Sequence, residues 1–133
     1  MTSICHVTSA HPRYDTRIFQ RMSKWLSAAG FNTFLIVGDE YEDYVKHGVK
    51  IYSIGKSKNR FSRMFISPYR ILRKAYRLDA DIYHLHDPEL LPLIPFLKIK
   101  RKKVIFDFHE DVVEQILDKE YLNKYIARFI KII

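Results

Sequence analysis

Short apolar runs alternate along the chain with segments whose apolar residues recur at helical spacing. Five runs predict strands: SICHVT (3–8), NTFLIVG (32–38), VKIYSIG (49–55), DIYHLH (81–86) and KVIFDFH (103–109). Strands that alternate with helices predict a parallel sheet covered on both faces. A chain of 133 residues is also of ordinary length for one domain. We therefore predict a single α/β domain with a doubly wound, mainly parallel, Rossmann-like sheet.

The first predicted helix follows the first strand. Asp15 is placed to act as its N-cap, and Gly30 is placed to end it. Its predicted apolar face comprises Ile18, Met22, Trp25 and Ala29, with Phe19 and Leu26 beside it.

Two further helix starts are predicted from a capping residue followed by proline. Ser67-Pro68 predicts a helix that runs to about Leu78, and Asp87-Pro88 predicts an apolar helix that Pro92 and Pro95 can kink. After the fifth strand the pattern is helical to the end of the chain.

Polar side chains cluster where the first, fourth and fifth predicted strands end. They are His11, Asp15 and Arg17 after the first strand, His86, Asp87 and Glu89 after the fourth, and His109, Glu110 and Asp111 after the fifth. In an open parallel sheet, ligands bind beyond the carboxyl ends of the strands, where the strand order reverses. If these three strands are neighbours, the clusters converge on one crevice.

Simpler interpretations stay open for most of these residues. Asp15 and Asp87 can act purely as helix caps, a role worth about 1 kcal/mol each, and Arg17 can be a solvated residue. His109 is the best single candidate, because it ends a strand beside two acids, although an ordinary hydrogen-bonded histidine is the alternative. His84 and His86 alternate on one strand face, but no cysteine or carboxylate stands at a recognisable ligand spacing, so no metal is predicted.

Composition and missing motifs narrow the function. The formal charge of +8 and the pI near 9.6 favour anionic neighbours such as phosphate esters, nucleic acid or acidic lipid. Cys5 is the one cysteine, so a reducing, cytoplasmic compartment and a packed thiol are expected. Neither a signal-peptide pattern nor a run long enough to span a bilayer is present. The chain has no G-x-G-x-x-G, P-loop or G-x-S-x-G, and no cofactor is predicted.

Basic residues also gather away from the strand ends. They are Arg70, Arg73, Lys74 and Arg77 after Pro68, the upstream Lys56, Lys58, Arg60 and Arg63, the run KIKRKK (98–103), and Lys124, Arg128 and Lys131 near the end. Such faces can bind anionic bilayers, at about 1 kcal/mol for each surface cation. For the middle helix, a solvated face over a core-packed stripe is the simpler interpretation. Charge alone also allows nucleic acid, but no reading motif supports it, so no nucleic-acid partner is expected.

Three segments together resemble a known family. HPRYDTRIFQRMSKWLSAAGFNTFLIV (11–37), DIYHLHDPELLPL (81–93) and KKVIFDFHEDVVEQI (102–116) are similar to the N-terminal domain of group 1, family 4 glycosyltransferases with the GT-B fold. Members of this family act in capsule, O-antigen and other surface-polysaccharide pathways. The likeness covers nearly the whole chain and keeps the order and spacing of the three segments.

The resemblance implies a function and a set of residue roles. It implies transfer of a hexosyl group from a nucleotide-sugar to a lipid-linked or surface-polysaccharide acceptor, with this chain as the acceptor-binding domain. His109 would contact the transferred sugar, and Glu110 would orient the histidine or the acceptor. The residues placed on the acceptor side are His11, Asp15, Arg17, His86, Asp87 and Glu89. The implied localisation is cytoplasmic, with peripheral attachment to the inner face of the cell membrane.

The family also has a donor-binding domain, and none is expected within residues 1–133. We therefore expect residues 1–133 to be an incomplete N-terminal domain, inactive until a missing domain or a separate chain supplies the nucleotide-sugar. The alternative is a non-catalytic half of a split glycosyltransferase that binds a membrane or a partner chain. A basic nucleic-acid-binding α/β domain is the least favoured hypothesis.

Overall fold

The structure is a computed structural model that describes residues 1–107. Its sheet has six strands, namely β1 (Ser3–Val7), β2 (Asn32–Val37), β3 (Tyr44–Lys46), β4 (Val49–Ser53), β5 (Ile82–Leu85) and β6 (Lys103–Phe106). They lie in the order β3-β4-β2-β1-β5-β6, and every neighbouring pair is parallel except β3 with β4. The predicted Rossmann-like fold is confirmed, and so is the expectation that the first, fourth and fifth predicted strands (β1, β5 and β6) are neighbours.

Strand β3 was not predicted from the sequence. It pairs with β4 through a two-residue turn in which His47 and Gly48 both have positive φ angles, 53° and 79°. Two such residues form the turn that suits the twist of a hairpin. The strand is three residues long and largely exposed. It therefore contains no apolar run from which a strand could be predicted.

The first helix begins where predicted but buries a different face. A π-helical segment, Thr16–Ser23, leads into α1 (Lys24–Ala28), and Gly30 follows with a φ of 99°. Because a π-helix bonds to the fifth residue instead of the fourth, Ser23 rather than Met22 returns over Ile18, and its hydroxyl donates to the Ile18 carbonyl at 2.8 Å. The α-helical face predicted from 3.6-residue spacing is therefore wrong at Trp25, which is 72% exposed.

The second helix starts earlier than predicted. A π-helical segment, Ser62–Ile66, runs directly into α2 (Ser67–Leu78), so Ser67-Pro68 lies inside the helix. Asn59 provides the cap, because its side-chain oxygen accepts a hydrogen bond from the Ser62 backbone at 2.8 Å. The π-turn before Pro68 accommodates a residue that cannot donate to the preceding turn. The predicted end at Leu78 is confirmed.

The third helix begins at the predicted residue without the predicted side-chain cap. A 3₁₀ segment, Pro88–Leu93, precedes α3 (Ile94–Ile99), and Asp87 occupies the N-cap position. Its carboxylate makes no capping bond, because it binds the loop after β1 instead. Its interpretation as a pure helix cap is therefore wrong.

Apolar side chains pack on both faces of the sheet. One face, including Cys5, Val7, Tyr83 and Leu85, packs against α2 and α3, while Leu35, Val37 and Ile51 on the other pack against Ile18 and Phe19. Cys5 is fully buried, and burial raises the pKa of its thiol, as expected for a packed cysteine. Within residues 1–107, none of the helices combines the length and apolar character needed to cross a bilayer.

Candidate functional site

Asp87 joins the ends of β1 and β5 at the point where the strand order reverses. Its Oδ2 accepts hydrogen bonds from the Thr8 hydroxyl at 2.6 Å and from the Ser9 backbone at 2.7 Å. Its Oδ1 lies 3.0 Å from Nδ1 of His11. The Asp87 side chain is only 4% exposed, so these polar partners compensate for the loss of water around its charge. This carboxylate fixes the shape of the loop after β1.

Glu89 extends the same junction toward the π-helical segment that precedes α2. It accepts a hydrogen bond from the Ser9 hydroxyl, and its Oε2 lies 3.3 Å from Nε of Arg63. Arg63 belongs to the π-helical segment before α2 and was assigned to the basic surface in the sequence, not to the site. The structure therefore connects that surface to the strand ends.

A cavity of about 480 Å³ opens beside Glu89. It is lined by Ser9, Ala10, Gly38, Lys56, Ser57, Asn59, Arg60 and Arg63. Three of these residues are cationic, and the Ser57 hydroxyl can donate to an anion while it accepts from Ser67. A cavity with this lining favours a negatively charged ligand such as a phosphate ester.

Gly38 allows the cavity wall to pack closely. A Cβ atom at this position would lie 3.2 Å from the carbonyl oxygen of Ser9 and 3.6 Å from that of Gly55. Both are backbone atoms, so neither can move aside like the end of a flexible side chain. A side chain here would therefore require the backbone at Ser9 to shift by a few tenths of an ångström.

A partly buried ion pair braces the loop from the other side. Arg13 binds Asp39 through two contacts of 2.7 Å, from Nε and Nη2, and its Nη1 donates to the Glu42 carbonyl at 2.8 Å. Burial alone would raise the pKa of the Asp39 carboxyl, but hydrogen bonds from Arg13 and from the Tyr41 backbone hold it below its ordinary value. The loop after β1 is thus held at Arg13 as well as at Ser9.

Asp15 and Arg17 have different roles in the structure. The Asp15 carboxylate accepts hydrogen bonds from the backbones of Arg17 and Ile18, both at 3.0 Å, which confirms it as a helix cap. The Arg17 Nη1 donates to Asp107 Oδ2 at 2.9 Å. Arg17 therefore links the first helix to the residue that follows β6.

Three histidines lie together beneath this edge of the sheet. His6 of β1 is paired in register with His84 of β5, and His86 follows on the same face. His6 Nδ1 and His86 Nε2 are 3.0 Å apart, and the rings of His84 and His86 stack with centroids 4.3 Å apart. We call these residues the histidine cluster. Their arrangement could hold a metal ion, since one nitrogen of each lies within 4.8 Å of the others.

Burial keeps the histidine cluster neutral. It lowers the pKa of His6 to about 3 and that of His86 to about 2, with a further lowering from neighbouring histidines. Burial also lowers the pKa of His84, which is less enclosed. Asp107 Oδ2 lies 3.6 Å from His84 Nε2 and 3.7 Å from His86 Nδ1. Neutral imidazoles beside one carboxylate can ligate a metal.

Four of the predicted substrate-binding residues lie near the Asp87–Ser9 junction, but they differ in exposure and in their neighbours. His11 and Glu89 are partly accessible there, whereas Asp87 is buried and His86 points into the histidine cluster. The predicted catalytic residues, His109 and Glu110, lie outside the described residues, as does Asp111.

Several residues of the site were not predicted to belong to it. They are His6, Thr8, Ser9, Arg13, Gly38, Arg63 and Asp107. For His6, the available signal was its position as a polar residue inside a strand predicted to be buried. Ser9 and Arg63 resemble ordinary loop and surface residues, because their partners are distant in sequence.

Comparison with known proteins adds no family: no family model matches the chain, and no curated protein or solved structure matches it either.

Proposed function

We propose that the protein is the acceptor-binding domain of a retaining glycosyltransferase with the GT-B fold. It would serve hexosyl transfer from a nucleotide-sugar to a lipid-linked or surface-polysaccharide acceptor. The observation that supports this most is the junction at the strand-order reversal, where Asp87 and Glu89 bind Ser9, and Glu89 also pairs with Arg63. Ligands of open parallel sheets bind at such a point.

The chemistry of glycosyl transfer suits fixed polar groups at this edge. As the sugar separates from its diphosphate, positive charge develops on the sugar and negative charge on the leaving group. Carboxylates and imidazoles held in place can stabilise the positive charge on the sugar. His11 and Glu89 are two such residues that are partly accessible. The roles of His109 and Glu110 come from the family resemblance, and they follow Asp107 in the chain by two and three residues.

The basic cavity supports an acceptor that carries a phosphate group. Lys56, Arg60 and Arg63 line it together with Ser9 and Ser57. A lipid diphosphate would place its anionic group among these cations while its glycan extends toward Glu89 and the strand ends.

Exposed apolar residues beside the cavity support attachment to a membrane. Phe61, Met64, Phe65, Ile66 and Tyr69 are between 41% and 66% exposed, and they lie among the cations of the same helix. We call these five residues the aromatic surface. Aromatic side chains flanked by Lys and Arg are typical of helices that bind the surface of an anionic bilayer. This arrangement suits a protein on the inner face of the cell membrane.

The catalytic role of the domain is tested in a two-domain enzyme reconstituted with a donor-binding chain. We expect His109→Ala to lower turnover at least a hundredfold, because the imidazole would contact the transferred sugar. His47→Asn, in the β3–β4 turn, is the control and should leave turnover unchanged. Turnover that is intact in His109→Ala would overturn the catalytic assignment.

Membrane attachment is tested by sedimentation with phosphatidylglycerol vesicles. The double variant Phe61→Ser/Phe65→Ser should lose most vesicle binding, and salt should weaken binding by the wild type. Trp25→Ser is the control, because Trp25 is at least as exposed as Phe61 and Phe65 but belongs to the first helix, which covers the opposite face of the sheet. Equal loss in both variants would refute a role for the aromatic surface.

The second candidate is a non-catalytic half of a split glycosyltransferase, which the aromatic surface also favours. Such a module would bind vesicles or a donor chain as described, yet His109→Ala would leave the turnover of the assembled enzyme unchanged. The two experiments therefore distinguish the two functions.

A further inference from the structure

The histidine cluster does not line the basic cavity, and the interactions argued above for the acceptor use none of its three side chains. His6 and His84 are directly opposite each other on β1 and β5, and His86 is two residues beyond His84, so all three side chains leave the same face of the sheet. His6 and His86 are buried, and His84 is partly exposed. Three imidazoles are thus collected in the interior, where apolar residues would pack at less cost.

The hydrogen bonds within the cluster are incomplete. The one short contact joins His6 Nδ1 and His86 Nε2, while the buried nitrogens His6 Nε2, His84 Nε2 and His86 Nδ1 have no hydrogen-bond partner among the described residues. Buried polar atoms are nearly always paired, and exceptions call for a functional explanation. A cation bound by His6 Nδ1 and His86 Nε2 would make the second nitrogen of each ring an N–H donor, and that of His86 faces Asp107.

The short contact matches the dimensions of a metal site. A proton shared by His6 Nδ1 and His86 Nε2 holds them 3.0 Å apart. Two ligands of a tetrahedral zinc ion, each about 2.05 Å from the metal, are separated by about 3.3 Å. An ion can therefore replace that proton with little movement. One nitrogen from each of the three histidines lies within 4.8 Å of the others. A modest rotation of the rings would bring all three nitrogens into contact with one ion.

Asp107 occupies the place of an orienting carboxylate. When His86 ligates through Nε2, its Nδ1 carries the proton and faces Asp107 Oδ2 at 3.7 Å. Histidine ligands commonly donate their other ring N–H to a carboxylate in this way. Arg17 in turn donates to the same oxygen at 2.9 Å, which fixes the position of the carboxylate.

We propose that His6, His84 and His86 bind one transition-metal dication of the zinc class, with Asp107 orienting His86 from outside the coordination sphere. Imidazole ligands suit Zn²⁺, Co²⁺ and Ni²⁺. The ion would join β1 to β5 directly beneath the Asp87–Ser9 junction. This site departs from the sequence-based expectation of no metal, which considered only the two histidines of β5.

The site is tested on the untagged full chain after treatment with EDTA and desalting. Calorimetric titration with ZnCl₂ should give one saturable site per chain. His84→Asn should weaken it at least tenfold, because this variant removes a ligand at the partly exposed position. His47→Asn removes an exposed histidine at a positive-φ position that asparagine tolerates, and it should bind Zn²⁺ like the wild type.

A measurement on the wild type keeps the test independent of the folding of any variant. In NMR spectra of ¹⁵N-histidine protein, one equivalent of Zn²⁺ should shift the ring nitrogens of His6, His84 and His86 and leave those of His47 in place. The proposal is overturned if no saturable site is found, if His84→Asn binds as tightly as the wild type, or if the shifts occur at other histidines.

Discussion

The backbone N–H of Ser9 donates a 2.7 Å hydrogen bond to the carboxylate of Asp87, 78 positions later in the chain. The same oxygen accepts the Thr8 hydroxyl, and the neighbouring Ser9 hydroxyl binds Glu89. The loop after β1 is therefore shaped by the residues that follow β5, and the two strand ends form one polar unit at the reversal of strand order.

Replacement of Asp87 tests how much the fold depends on this unit. Asp87→Ala should lower the free energy of unfolding by about 3 kcal/mol, because the Thr8 hydroxyl and Ser9 N–H lose their acceptor in a buried place. Glu40→Ala is the control: the Glu40 carboxylate is 70% exposed and 3.9 Å from Lys56, so its loss should cost less than about 0.5 kcal/mol. Urea unfolding measures both, and equal costs would contradict the prediction.

Gly38 tests whether the junction is rigid. A Cβ at this position would lie 3.2 Å from the Ser9 carbonyl, and Ser9 is held by Asp87, so Gly38→Ala should cost about 1 kcal/mol. In the Asp87→Ala background the loop is freer to move, and the cost of Gly38→Ala should shrink. A double-mutant cycle by urea unfolding measures this coupling. Strictly additive costs would show that the loop is not held by Asp87.

The Arg13–Asp39 pair should make stability depend on pH. The Asp39 pKa is below its ordinary 3.8 in the folded protein, so the pair contributes fully above pH 3.8 and is lost as the pH falls through the lower folded value. Arg13→Gln should cost about 2 kcal/mol at pH 7, and its difference from the wild type should stay constant down to about pH 3.8 and narrow below it. Urea unfolding at each pH measures it.

A matched variant separates this effect from the general loss of a positive charge. Arg21→Gln lies on the exposed side of the first helix, and its small cost should not change with pH in the same way. A cost of Arg13→Gln that stays constant below about pH 3.8 would rule out the stabilised Asp39 carboxylate as its cause.

Tyr83 tests the packing of β5 against α2. Its hydroxyl accepts from the Ala80 backbone at 2.9 Å and donates to the Ala75 carbonyl at 2.5 Å, and the residue is 1% exposed. Tyr83→Phe should cost about 2 kcal/mol, because it leaves both backbone groups unpaired. Tyr69→Phe, at an exposed tyrosine, should change thermal stability little. If Tyr83→Phe left the free energy of unfolding unchanged, water would have to replace the hydroxyl as the partner of both backbone groups.

Much of the fold could be predicted because its signals are local. The strands at β1, β2, β4, β5 and β6 appeared as short apolar runs, and Asp15 and Gly30 marked the ends of the first helix. Errors arose where the chain departs from the standard period. The π-turns at Thr16–Ser23 and Ser62–Ile66 moved Trp25 to the surface and the second helix start upstream of Ser67.

The site was less predictable than the fold. The ends of β1 and β5 were recognised as a meeting point, but Asp87 was assigned equally to a cap, and Arg63 to a basic surface away from the strand ends. The partners in these contacts are far apart in the sequence. Arg63 and Glu89 are separated by 26 positions, and Ser9 and Asp87 by 78. Local spacing carries no information about those pairs.

The class of fold, the positions of most strands and the edge of the sheet where polar groups collect could be predicted from the amino-acid sequence. Those features follow from the period of apolar residues and from backbone capping, which involve neighbours within about four positions. Tertiary structure alone decided that His6 meets His84 and His86, and that Asp87 holds Ser9. These pairings require the exact register of β1 against β5, because a shift of one residue would turn every side chain to the other face.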